Sequence, residues 1–91
     1  MLVLVFDDIP DDKRRTKLAT YLEGYGRRVQ YSVIECLLNL PEMKALYELL
    51  KKRVKPEEDN VRLYWITRDS FEKALSIGSP PPKEPPEFYI V

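Results

Sequence analysis

The chain opens on an unbroken apolar run, Leu2-Val3-Leu4-Val5-Phe6, that stops against four carboxylates, Asp7, Asp8, Asp11 and Asp12. A strand with one wet face alternates apolar and polar residues, whereas an unbroken run marks a strand covered on both faces. Its far end therefore delivers Asp7 and Asp8 to the edge of the core. The Pro10-Asp11-Asp12 turn supplies an Asp to cap the helix that follows. Strand, acid pair, turn and helix together form a layout that can hold a metal.

A chain of 91 residues supports one core and buries a modest share of its surface. The cover required on the second face of the first strand is expected from a second copy, as a homodimer. The apolar start has no basic segment ahead of it and is too short for a signal peptide or a membrane span. Cys36 is the lone cysteine, so no intrachain disulfide forms and no cysteine metal spacing exists. A cytoplasmic protein with no membrane partner is the expectation.

Composition also removes chemistry. The chain has no histidine, hence no Ser-His or Cys-His nucleophile system and no imidazole ligand. Hydrolysis would fall to carboxylates and a hard cation, Mg²⁺ or Mn²⁺, which prefers oxygen ligands. Gly24 and Gly26 do not open a phosphate-binding helix. Lys+Arg 15 balances Asp+Glu 15, so nucleic-acid binding must come from local clusters.

From Asp12 to about Glu23, Leu18, Ala19, Leu22 and the tyrosines 21 and 25 recur at helical spacing, with Gly24 or Gly26 ending the helix. Lys13, Arg14, Arg15 and Lys17 crowd its first turns, where the helix dipole favours acids. They call for partners, either Asp11 and Asp12 or an external anion. Residues 27–38 are rich in β-formers and are read as two antiparallel strands meeting at Tyr31-Ser32. Pro41 is expected at the first position of a second helix, with Met43, Leu46, Tyr47, Leu50 and Val54 as its buried stripe and Pro56 as its limit. Residues 61–66 form a strand, and residues 69–75 one or two helical turns. Residues 79–91 carry a proline-rich arm ending in Phe88-Tyr89-Ile90-Val91, an extra C-terminal strand suited to adding at a sheet edge.

The order strand, helix, strand, strand, helix, strand is the ferredoxin-like α+β arrangement, βαββαβ, over residues 1–78. Both helices cover one sheet face. Pairing the open faces of two copies would bring the two Asp8 carboxylates towards a shared axis, where they could bridge one cation.

The segment Asp8-Ile9-Pro10-Asp11-Asp12-Lys13-Arg14-Arg15 carries a further signal, together with Leu22 through Gly26, Arg28-Val29-Gln30-Tyr31-Ser32-Val33, Pro56-Glu57-Glu58-Asp59 and the closing Phe88-Tyr89-Ile90-Val91. In these spaced motifs, almost end to end, the chain resembles the CRISPR-associated protein 2 family. The resemblance implies a ferredoxin-like homodimer with an exchanged C-terminal strand. It also implies a bridge between integrase-subunit dimers during spacer acquisition, and metal-dependent endonuclease activity. The family's acidic ligand falls on Asp8, its helix arginine on Arg15 and its second-strand basic residue on Arg28, which makes these the expected catalytic residues and Asp8 the Mg²⁺ or Mn²⁺ ligand. Arg14, Arg15, Lys17, Arg27 and Arg28 are the expected phosphate contacts, on DNA or RNA. Asp7 departs from the family's usual Tyr and Ile34 from a usual aromatic. An acid at position 7 offers a second ligand or, by repulsion, a raised pKa.

Simpler roles compete with these. Asp11 and Asp12 are read as a helix cap and a first-turn acid. Neighbouring strand residues point to opposite faces, so Asp7 and Asp8 cannot both chelate from a regular strand. The basic run at residues 51–55 suits the end of a helix as well as a phosphate. Tyr21, Tyr25, Tyr31, Tyr64 and Trp65 read as core or interface aromatics, and Cys36 as a small buried residue. Two functions stand side by side: a phosphodiester-cleaving dimer acting on single-stranded RNA or double-stranded DNA, and a non-catalytic adaptor that carries DNA and docks the integrase. A toxin-like ribonuclease of the same fold is a third.

Overall fold

The computed structural model describes residues 1–78; the proline-rich arm and C-terminal strand expected over residues 79–91 lie outside them. Among the described residues seven elements follow one another: β1 (Leu2–Asp8), α1 (Asp12–Glu23), β2 (Gly26–Gln30), β3 (Val33–Leu37), α2 (Leu40–Lys51), β4 (Asn60–Ile66) and α3 (Arg68–Glu72). The strands form one antiparallel sheet in the order β2-β3-β1-β4, the ferredoxin-like arrangement expected from the sequence.

The opening run becomes an inner strand, paired with β3 on one side and β4 on the other. Its alternate residues Val3 and Val5 are sealed among Ile34, Cys36, Leu18, Leu22, Leu46 and Leu50, the core between the sheet and the two long helices. On the other face Leu2 is buried, Leu4 is half-buried and Phe6 is 38 % exposed. The residues that cover the start of this face come from α3, whose buried Phe71 shares a cleft with Leu2, Leu4 and Ile66. Coverage fails towards Phe6, which meets only the edge of Tyr64, their rings 5.4 Å apart and nearly perpendicular.

Helix α1 starts on Asp11, whose carboxylate accepts from the Arg14 backbone N–H at 2.8 Å, the role read from the sequence. It ends at Gly24, which stays right-handed. The glycine that the fold cannot replace is Gly26. A Cβ there would lie 2.0 Å from the Glu35 carbonyl oxygen, so β2 reaches β3 only without a side chain. The expected break between β2 and β3 at Tyr31-Ser32 is a two-residue turn between paired Gln30 and Val33. No non-glycine residue there has positive φ, so the primed turns that normally close hairpins are absent. A register shift between Arg28 and Gln30 inserts Val29 as an extra residue and absorbs the mismatched twist.

Helix α2 begins one residue before the expected start. Asn39 and Glu42 form a reciprocal capping box, each side chain accepting from the other's backbone N–H at 2.8 and 2.9 Å. Pro41 therefore occupies the second helical position, where its missing N–H is still not needed. The helix ends at Lys51, well before Pro56. Leu46 and Leu50 are its buried residues, while Tyr47 of the expected stripe is largely exposed.

Candidate functional site at the end of the first strand

The strand's pleat decides where each acid goes. Asp7 pairs across the sheet with Val61, on the helix-covered face, and Asp8 pairs with Asn60, on the open face. The two carboxylates therefore serve different surroundings, as the sequence argument required.

Around Asp7 gather Arg15 from α1 and Arg28 from β2, with Tyr31 from the hairpin turn at the rim. Arg28 reaches this face because it sits opposite buried Ile34, whereas Arg27 sits opposite Glu35 on the open face and pairs with it at 3.3 Å. Arg15 is anchored twice, donating to the Ile9 carbonyl at 3.1 Å and pairing with Asp12. Arg28 donates to the Tyr31 carbonyl and approaches Glu23 at 3.4 Å. Burial pushes the Asp7 carboxyl above its ordinary range, opposed by the charges of Arg28 and Arg15; repulsion from Asp8 adds only a little.

On the open face, Asp8 shares a cleft with Phe6, Ser32, Asn60 and Arg62, and Asp7 also borders it. Its carboxylate is exposed and makes no hydrogen bond or ion pair among the described residues. Asp8, Ser32 and Asn60 offer hard oxygen donors of the kind that Mg²⁺ or Mn²⁺ accepts. No group of three acidic or cysteine side chains that could hold a metal ion gathers among the described residues. Arg15 and Arg28, expected to act with Asp8, stand on the other side of the sheet from it in the same chain.

The crowding of cations at the start of α1 has an answer the sequence did not reveal. Arg14 lays its guanidinium on Asp59, Nε to Oδ2 at 2.6 Å and Nη2 to Oδ1 at 2.9 Å, with Glu58 3.2 Å from Nη2. The Asp59 side chain is fully buried and also accepts from the Lys55 N–H at 2.8 Å. Such a bidentate, charge-assisted pair is among the strong ones, and the Arg14 hydrogen bonds hold the Asp59 carboxyl below its usual range. Arg14 is thus committed to tying α1 to the loop before β4, next to Asn60. Lys17 is exposed on α1. The only sign of Asp59 in the sequence was its place in the acidic stretch Glu57-Glu58-Asp59; nothing there distinguished the buried acid from the two solvated ones.

Other singled-out residues have structural partners. Arg53 stacks on Tyr21, 3.7 Å from the ring centre, and the hydroxyls of Tyr21 and Tyr25 lie 3.0 Å apart. Cys36 is sealed in the core, where burial pushes its thiol up to about 11. Among the aromatics expected in the core or at an interface, Tyr31 is the most exposed, at 74 %, and Tyr64 follows at 45 %; Tyr31 occupies the two-residue turn, with Arg15 over its ring.

The family model for CRISPR associated protein Cas2 matches residues 1–74. The chain belongs to the Cas2 family. It is 43% identical over 90 residues to a CRISPR-associated endoribonuclease Cas2 of Synechocystis sp., covering 99% of this chain and 98% of that one. A second from the same organism is 49% identical over 92 residues, covering 97% and 96%. Among solved structures, Cas2 of Streptococcus pyogenes superposes with a TM-score of 0.72 at 28% identity, over 86% of this chain and 100% of that one. A chain in a partial Cas6-RT-Cas1–Cas2 complex gives 0.72 at 34% identity, over 88% and 93%. Among the described residues no helix is long and apolar enough to cross a membrane.

Proposed function

We propose that the chain works as a homodimer in CRISPR spacer acquisition, bridging the integrase subunit and DNA, with a metal-dependent endonuclease site at the dimer axis. The observation that carries this reading is the open sheet face. Leu4, Phe6 and Tyr64 line it, Phe6 and Tyr64 remain markedly exposed, and the free Asp8 carboxylate stands at its rim. An apolar surface of this kind on a sheet is a surface that a second copy covers. Two copies meeting there bring two half-sites of oxygen donors together.

A divalent cation bound between the two Asp8 carboxylates would lower the pKa of water and polarise a phosphodiester. The residues of this chain would do the rest: Asp8 holds negative charge at the axis, Asn60 and Ser32 present neutral oxygens, and Arg62 in the same cleft steadies charge on the phosphate. The endoribonuclease names of the relatives and the Cas1–Cas2 complex in which one neighbour was solved both support the assignment. Lys17 and Arg15 supply phosphate contacts on the helix side. The separation of Arg15 and Arg28 from Asp8 favours a second reading, an adaptor that carries nucleic acid on its helix side and cuts nothing.

The test is cleavage of end-labelled single-stranded RNA and double-stranded DNA by the full-length protein, with Mg²⁺ or Mn²⁺ or with chelator. An Asp8→Asn protein, verified as a folded dimer by circular dichroism and gel filtration, runs beside it. Metal-dependent cleavage lost in the variant supports the nuclease. Absence of cleavage in both, with spacer integration intact, supports the adaptor; truncation before Pro80 should then abolish the complex with the integrase.

A further inference from the structure

Tyr31, Arg15 and Arg28 form more than a basic patch. The cleft they share with Asp7, Thr20 and Glu23 has a volume of about 290 Å³, close to the lower end of about 300 Å³ for small-molecule sites. Its two guanidinium groups are matched by two carboxylates. A bare phosphate entering it would meet Asp7 and Glu23 as well as the arginines, and would gain no net field. What the walls offer is a flat ring, a hydroxyl and carboxylate oxygens that accept hydrogen bonds. A nucleobase has the complementary features: a π-face, and an edge carrying N–H donors.

We propose that this cleft takes one unpaired nucleobase of a single strand, stacked on Tyr31 with its amino-bearing edge on Asp7 or Glu23. Tyr31 carries the observation furthest, since the residue is 74 % exposed in a two-residue turn and its ring already accepts a flat cationic group, the Arg15 guanidinium carbon lying 5.8 Å from the ring centre. Arg28 holds the turn itself through the Tyr31 carbonyl. The backbone that carries the base runs over Arg15 and Lys17. Guanine fits best, because its neighbouring N1–H and N2–H donors match both oxygens of one carboxylate; uracil and thymine turn two carbonyls towards the same acid. In a duplex that edge is paired and both faces are stacked, so the site selects single strands. The inference rests on the reading that this chain handles nucleic acid, and it names the form of nucleic acid that the helix side accepts.

Fluorescence anisotropy of the full-length protein tests it, using short labelled oligouridine strands with and without a central guanine, each as RNA and as DNA, beside a duplex DNA. Stacking a base on an aromatic side chain is worth about 1–3 kcal/mol, so Tyr31→Ala should weaken single-strand binding at least about fivefold more than duplex binding. Tyr31→Phe should retain it, and Asp7→Asn should narrow the preference for the guanine-bearing strand. The RNA and DNA arms report whether the sugar matters. Equal single-strand affinity in Tyr31→Ala and parent, or equal loss on single strand and duplex, overturns the site. So does a change of oligomeric state in Tyr31→Ala, which would make the ring a subunit contact. A parent that binds duplex and no single strand overturns the site while leaving the proposed function standing; a parent that binds neither overturns both.

Discussion

Asp7 and Asp8 are neighbours in the chain and lie on opposite faces of the sheet, Asp7 across from Val61 above the helix-side arginines and Asp8 across from Asn60 on the open side. The strand's two-residue period imposes this division. It turns one acidic dipeptide into two sites of different chemistry, a half-buried acid between two guanidiniums and a free carboxylate on an apolar face.

Asp8 is exposed and unpaired among the described residues, so Asp8→Asn should leave the fold intact, with a stability change within about 0.5 kcal/mol. Metal-dependent cleavage should fall at least about 100-fold, since even outer-shell changes at metal sites cost up to about that much. Thermal melts and end-labelled RNA cleavage measure the two effects separately.

Asp7 should titrate against stability. Its folded pKa is raised by burial above the ordinary 3.8, so its contribution is complete below the unfolded pKa and is lost as pH rises through the folded one. Asp7→Asn should therefore melt at or above the parent temperature near pH 7. The gain should vanish below pH 3.8, as differential scanning calorimetry at the two pH values would show.

Asp59 behaves with the opposite sign. Its carboxyl is lowered by the Arg14 hydrogen bonds from the ordinary 3.8, so its stabilisation is present above that value and is lost as pH falls through the folded pKa. Asp59→Ala removes the buried, bidentate partner of Arg14 and leaves it only the exposed Glu58, which should cost about 3 kcal/mol. Denaturant melts at neutral pH measure the loss, and the variant should also show a weaker acid dependence than the parent.

Gly26→Ala places a methyl group against the β3 backbone, with the Glu35 carbonyl carbon at 2.8 Å and Cys36 Cα at 2.9 Å beside the oxygen contact. Backbone cannot give as a flexible side chain would, so the hairpin must shift. A cost at or above the 1–3 kcal/mol typical of overpacking, about 3 kcal/mol, is expected. Hydrogen exchange should show protection lost in β2 and β3 before β1 and β4.

Phe6→Glu puts a charge in the middle of the open face beside Tyr64. The protein should remain folded, because Phe6 lies outside the helix-side core, and the dissociation constant of the proposed dimer should rise more than about tenfold, since a charge buried unpaired at an interface costs several kcal/mol. Sedimentation velocity over a concentration series reads the shift.

Much of this molecule was written locally. The unbroken run at residues 2–6 fixed an inner strand, Asp11 fixed the start of α1, and the absence of histidine together with Asp8 fixed the kind of chemistry available, because each depends on residue type and near neighbours alone. The division of Asp7 from Asp8 also followed from the strand's period. What the sequence could not reveal depends on contacts between distant segments. Arg14 looked like a phosphate ligand until the fold set it against Asp59, 45 residues away. Arg28 and Arg27 looked equivalent until pairing with Ile34 and Glu35 sent them to opposite faces. Tyr31 read as a core or interface aromatic, and the fold keeps it out of this chain's core, in the two-residue turn beside the Val29 bulge. Propensity and period act over a few residues, and they determined the elements and the placing of two acids at the strand's end. Which cation meets which acid is settled only when the closed sheet brings remote segments within hydrogen-bonding distance, and that the tertiary structure alone decided.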